Sequence, residues 1–155
     1  MTTILTDEQT MLKEAAAEFC SERSPITAFR ELRDTKDETG FSRDIWAQMA
    51  EMGWAGALFP EELGGFGFGM RGMGLILEET GKTLVASPLI STVVLSGSLV
   101  QLAGSDAQRE EILGAIIAGE RLLSVALDEK HSHNPTHIAT TAAKADGGYI
   151  ITGEK

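Results

Sequence analysis

Apolar residues recur at helical spacing through most of the first 120 positions, and polar caps and glycines punctuate them. Thr6-Asp7-Glu8-Gln9 is a capping box, in which hydroxyl and amide side chains satisfy each other's backbone donors. Met11, Leu12, Ala15, Ala16 and Phe19 then follow one helical face. Ser24-Pro25 stops that helix and can open a short second one. Ser42 is placed to cap a third, with Ile45, Trp46, Met49 and Ala50 inward and Gly53 as its stop. Met73 to Glu79 predicts a fourth helix, ending at Gly81. Ser87-Pro88 opens a fifth whose apolar residues nearly encircle it, which predicts a central, buried helix closed by Gly104. Ser105-Asp106-Ala107-Gln108 is a second capping box. Ile112, Leu113, Ile116 and Ile117 give the last helix an inward face before Gly119.

The period then changes from helix to strand. Leu122 to Leu127 reads as a short strand, Ile138 to Lys144 as another and Tyr149 to Thr152 as a third. Asp146-Gly147-Gly148 turns the chain between the last two. Three short strands without a covering layer make a poor unit. They read as the start of a β domain whose remainder is absent. The pattern divides the chain into a helical domain, 1–120, and the beginning of a β domain, 121–155.

Leu63 to Gly74 reads LGGFGFGMRGMG, and Gly67, Gly69 and Gly72 spell G-x-G-x-x-G. A dinucleotide-binding loop needs a strand before the first glycine, a helix opening at the third and an acid about twenty residues on. Pro60 leaves only Trp54 to Phe59 as a possible strand, Glu61 and Glu62 would repel a pyrophosphate, and no acid stands near Leu89. The glycines therefore call for a structural explanation.

Composition narrows the function classes. A net charge of −10 argues against nucleic acid and anionic membranes as partners. One cysteine, Cys20, excludes an intrachain disulfide and fits a reducing, cytoplasmic setting. Beside Phe19 on an apolar helix face, it reads as a buried, inert thiol. The stretch Leu89 to Ala103 is too short and too polar to span a bilayer.

Several clusters carry two readings. His131, His133 and His137, near Asp128 and Glu129, could be metal ligands or members of a solvated loop. The loop is the favoured reading, and no metal is expected. Glu61-Glu62 and Glu78-Glu79 read as solvated faces. Arg30, Arg33, Lys36 and Arg43 read as a basic helix surface, with a ligand phosphate as the alternative contact. Met49, Met52, Met70 and Met73 are expected to fill core gaps.

Taken in order, these segments resemble the amino-terminal part of an acyl-CoA dehydrogenase. The matching pieces include Leu5-Thr6-Asp7-Glu8-Gln9, Trp46 to Trp54, Pro60-Glu61-Glu62-Leu63-Gly64-Gly65-Phe66-Gly67 and Leu77-Glu78-Glu79-Thr80-Gly81. Ser87-Pro88, Ala103 to Gln108, Ile117-Ala118-Gly119-Glu120, Ala126-Leu127-Asp128-Glu129 and Tyr149 to Lys155 follow. The resemblance implies a mainly α fold: an up-down helical bundle followed by the first strands of an incomplete β-barrel domain. In that family the glycine segment is a structural loop.

The resemblance also implies FAD as cofactor, an acyl-CoA substrate oxidised to trans-2-enoyl-CoA, and an electron-transfer flavoprotein or similar acceptor. A homo- or hetero-oligomer is expected of the full-length protein. The family's base is a late glutamate, and no catalytic residue is matched here, so this portion is expected to be inactive alone. Leu127, Asp128 and Glu129 align with a flavin-contacting strand end, where the family usually has Thr-Glu in place of Asp128-Glu129. The following loop, usually Pro-Gly-x-Gly-Ser, is Lys130-His131-Ser132-His133-Asn134, which brings Asn134 toward acyl-CoA. The helix after Pro88 lines the family's acyl pocket and brings forward Ser91 and Leu95. The alternatives are a non-flavin subunit of a hetero-oligomeric dehydrogenase and a non-catalytic helical interaction module.

Overall fold

The computed structural model describes residues 4–130 and 133–155. The Thr6 hydroxyl accepts the Gln9 amide, and the Gln9 side chain accepts the Thr6 amide, both at 3.2 Å. This closed box starts α1, Asp7–Arg23. After Ser24-Pro25 the chain forms α2, Ile26–Thr35, none of whose residues is buried. Ser42 Oγ accepts the Ile45 amide to cap α3, Arg43–Glu51. Gly53, at φ 80°, then turns the chain into a single 3₁₀ turn, Trp54–Gly56. A second such turn, Glu61–Leu63, leads into the glycine segment.

Helix α4 runs Gly69–Lys82, starting at Gly69 rather than at Met73. Glycine is a poor helix former, yet Gly72 is buried, and a side chain there would press on Phe68 Cβ and meet Leu12 Cδ2 of α1 at 3.5 Å. Close helix packing offsets the poor propensity. Helix α5 has a π-helical stretch, Leu89–Gly97, and an α-helical end, Ser98–Ala103. The Ser105 box opens α6, which runs through Asp106–Gln108, a π-helical Arg109–Leu113 and Gly114–Ile117. No helix among the described residues is long and apolar enough to cross a membrane.

The core is built on the chain between α3 and the glycine segment as much as on the helices. Trp54, Ala55, Ala57, Leu58 and Phe59 are all buried, with Met49, Met73, Ile76, Leu89, Val93, Leu113 and Ile116 around them. Phe19 of α1 meets Trp54 edge-on, with ring centroids 5.1 Å apart. At the far end of α6, the Gly119 carbonyl accepts the Trp46 indole N–H at 2.8 Å.

Four expectations need correction. The expected encirclement of α5 gives way to one buried face: Leu89, Thr92, Val93, Ser96 and Gly97 are covered, while Ile90, Leu95, Leu99 and Leu102 are exposed. The helices described here pack against one side only. Met49 and Met73 fill the core, but Met52 and Met70 are exposed, because they lie off the buried faces of their segments. Glu79 is buried rather than solvated, since α4 turns it toward α1, where it pairs with Lys82 at 2.7 Å and lies 3.7 Å from Lys13. Finally, Leu122 to Leu127 is not a strand, because it has no sheet partner among the described residues.

Contacts divide the chain into two compact units, Met1–Ser124 and Val125–Lys155. The second contains β1, Thr141–Ala145, and β2, Gly148–Thr152, paired antiparallel from Thr141 opposite Thr152 to Ala145 opposite Gly148. Gly147, at φ 81°, takes the turn position that favours glycine. The fold is thus mainly helical, followed by the first hairpin of a β segment.

Candidate functional site

The glycine segment is occupied by its own backbone. The amides of Gly64, Gly65, Phe66 and Gly67 donate to the carbonyls of Glu61, Pro60, Gly56 and Phe59, at 2.8 to 3.1 Å. A phosphate loop must aim free amides at its ligand, and these are spent inside the loop. The approach from Trp54 is a buried 3₁₀ turn, not a strand. At Gly65 a side chain would press on the Phe59 backbone and fall 2.8 Å from the Gly56 carbonyl oxygen. The glycines fold the segment tightly onto the core.

In the first unit, Ser91 and Leu95 lie on α5 but in different settings. Ser91 is half-buried and lines a cavity of about 490 Å³ with Phe41, Pro88, Thr92, Leu122 and Ser124. Its hydroxyl donates to the Pro88 carbonyl at 3.3 Å. Leu95 does not line this cavity; it belongs to the exposed stripe with Leu99 and Leu102. Next to Ser91, the buried Thr92 hydroxyl donates to the Leu123 carbonyl and accepts the Leu123 amide, both at 3.0 Å. A side chain here does the work of a neighbouring strand.

In the second unit, the segment Leu127–Glu129 is pinned from within. The Glu129 carboxylate accepts the Ala139 amide at 2.6 Å and the Thr140 amide at 3.0 Å. Lys155 Nζ lies 2.9 Å from the same carboxylate and donates to the Leu127 carbonyl at 3.3 Å. The Ala139 amide first, then Thr140 and Lys155, hold the Glu129 carboxyl far below the usual carboxylate range. Asp128 is more open, and its oxygens lie 2.9 and 3.1 Å from His133 Nδ1. Asn134 closes its own turn, accepting the His137 amide at 3.0 Å and the Thr136 hydroxyl at 2.8 Å. His131 lies outside the described residues. Among those described, no three His, Cys, Asp or Glu side chains gather as a metal site would require.

Two participants carried no obvious signal in the sequence. Thr92 could have been found as a polar residue on the covered face of an apolar helix. Lys155 could not, because its partners lie far upstream in the chain.

For a bound flavin, the donor set is mixed. Leu127 to Asp128 offers main-chain groups, which suit the donor and acceptor edge of a planar heterocycle. The Asp128 carboxylate accepts only, and the Glu129 carboxylate is engaged with the hairpin. The residues therefore fit a flavin edge through main chain rather than side chain.

Comparison with known proteins gives a consistent result. Residues 6–120 match the model of the acyl-CoA dehydrogenase N-terminal domain. The benzylmalonyl-CoA dehydrogenase of Aromatoleum aromaticum is 30% identical over 155 residues, covering 97% of this chain and 40% of that protein. Among solved structures, the ChsE4-ChsE5 complex from Mycobacterium tuberculosis superposes with a TM-score of 0.83 at 29% identity, over 99% of this chain and 40% of that one. An acyl-CoA dehydrogenase complexed with FAD from Bacillus anthracis gives 0.79 at 25% identity, over 96% of this chain and 26% of that one. The chain spans 40% of the length of that curated relative.

Proposed function

Because the chain belongs to the acyl-CoA dehydrogenase family, we propose that it is the amino-terminal portion of an FAD-dependent enzyme oxidising acyl-CoA to trans-2-enoyl-CoA. The match over residues 6–120 carries this reading, and likeness to a relative complexed with FAD supports the cofactor. FAD, when bound, supplies the two-electron oxidation, and the protein's task is to position it. In this reading the main chain of Leu127 and Asp128 holds the pyrimidine edge of the flavin. Glu129 holds the segment itself. Ser91 and Leu95 face the acyl chain, and Asn134 meets the acyl-CoA. The base that removes the α-proton comes from outside these residues, and an electron-transfer flavoprotein or similar acceptor takes the electrons.

Asp128 is the departure that decides between this reading and a second one. A carboxylate near the flavin opposes electron gain, because reduction adds negative charge to the same low-dielectric region. His133 offsets part of this by donating to Asp128. In the second reading, the chain is a subunit that binds no flavin within a hetero-oligomeric dehydrogenase. Asp128 and the likeness to the two-component ChsE4-ChsE5 complex favour it.

The test is flavin content and a spectroelectrochemical titration of the full-length protein and its Asp128→Thr variant. Flavin in the wild type, with tighter binding and a raised potential in the variant, supports the flavoenzyme. A protein free of flavin, unchanged by the substitution, supports the second reading.

A further inference from the structure

We propose that Glu129 and Lys155 form a clamp that positions the flavin-facing main chain at Leu127–Asp128, making both of them positioning residues for the cofactor. This rests on the flavin reading above. The geometry draws four points of the second unit together. Glu129 ties its own position to the amides of Ala139 and Thr140. Lys155 reaches the same carboxylate at 2.9 Å and then bridges to the Leu127 carbonyl at 3.3 Å.

That second contact separates positioning from hairpin stability. Two amides already hold Glu129 to the chain that leads into β1. The Lys155 bond reaches past them to the Leu127 carbonyl, one residue before Asp128. A loose main chain at this point would lose conformational freedom on binding, and pre-ordering removes that cost. Recognition of a ring edge by main-chain groups also demands placement to about 0.5 Å.

The return of the chain to this point depends on Gly153. A side chain there would lie 2.7 Å from Thr140 Cα, so glycine lets the backbone pass close enough for Lys155 to reach Glu129. The carboxylate itself is almost covered, at 5% exposure, and it keeps its charge because three donors converge on it. A buried carboxylate short of a partner is costly, which makes Lys155 the natural third donor.

The test uses the full-length protein, with Lys155→Met, Lys155→Gln and Lys155→Arg. FAD affinity is read by fluorescence titration of the apoprotein, and the Ala139 and Thr140 amides by hydrogen exchange. Lys155→Met should weaken FAD on the order of tenfold, the worth of about one charge-assisted hydrogen bond. Lys155→Gln should lose less, and Lys155→Arg should recover most of the affinity. Melting of the helical unit should stay unchanged in all three. Faster exchange at Ala139 and Thr140 with FAD affinity held within about twofold would leave the clamp purely structural and overturn the proposal. A wild type that binds no FAD overturns the flavin reading and this inference with it, an outcome recognisable before any variant is made.

Discussion

Replacing Thr92 by Val asks whether one buried hydroxyl holds the chain beyond α6 in place. Thr92 has no exposed surface, and its hydroxyl makes two bonds of 3.0 Å to the backbone of Leu123. Valine keeps the branched shape and removes both. A neutral hydrogen bond contributes about 0.5–1.5 kcal/mol net, so the pair contributes about 1–3 kcal/mol. Leu123 is only half-buried, and water can reach its backbone once the hydroxyl is gone, which holds the loss to this range. For a chain of 155 residues, each kcal/mol moves Tm by about 2–4 °C, giving a fall of about 2–12 °C. Thr92→Ser keeps the hydroxyl and loses a methyl, at a cost of about 1 kcal/mol. Thermal melts followed by circular dichroism would rank the two, and hydrogen exchange would report the Leu123 amide directly. A valine variant as stable as wild type, with the Leu123 amide still protected, would refute the reasoning.

Ile116→Ala should cost about 2–5 kcal/mol, since Ile116 is fully buried. Glu111→Ala should cost less than about 1 kcal/mol, because its 3.1 Å pair with Arg121 is solvent-exposed; equal urea midpoints would mean the assigned inward face is wrong. Burial, with the Glu79 charge nearby, pushes the Cys20 thiol up to about 11, so labelling by a thiol reagent at pH 8 should be slow until the protein unfolds. A raised folded-state value gives stability that is complete below the thiol's ordinary 9.0 and lost as pH rises toward 11. Melts of wild type against Cys20→Ala should converge or cross over that window, and a constant difference would contradict the assignment.

What could be read in the sequence was what neighbouring residues decide. The boxes at Thr6 and Ser105 and the cap at Ser42 close within three residues, and the structure has each of them. The inward faces of α3 and α6 followed from spacing alone. The start of α4 did not, because Gly72 is helical through its packing on Phe68 and Leu12 rather than through its own preference. The exposure of Leu95 and Leu99 was equally hidden, since a side chain's identity does not say which neighbour covers it. Around the candidate site the limit is the same. Resemblance brought out Leu127 to Glu129, but the direction of the Glu129 carboxylate depends on amides 10 and 11 residues downstream.

The π-helical stretch of α5 ties the facing of that helix's later half to the number of residues before it. One residue added to Leu89–Gly97 with α-helical geometry would turn everything downstream by about 100°. Leu99 and Leu102 would then swing away from the side they now face, and the covered row led by Thr92 and Val93 would lose its continuation. Single substitutions on the open side leave this count untouched. An inserted residue should therefore be tolerated better at the turns at Ser87 and Gly104 than within the helix.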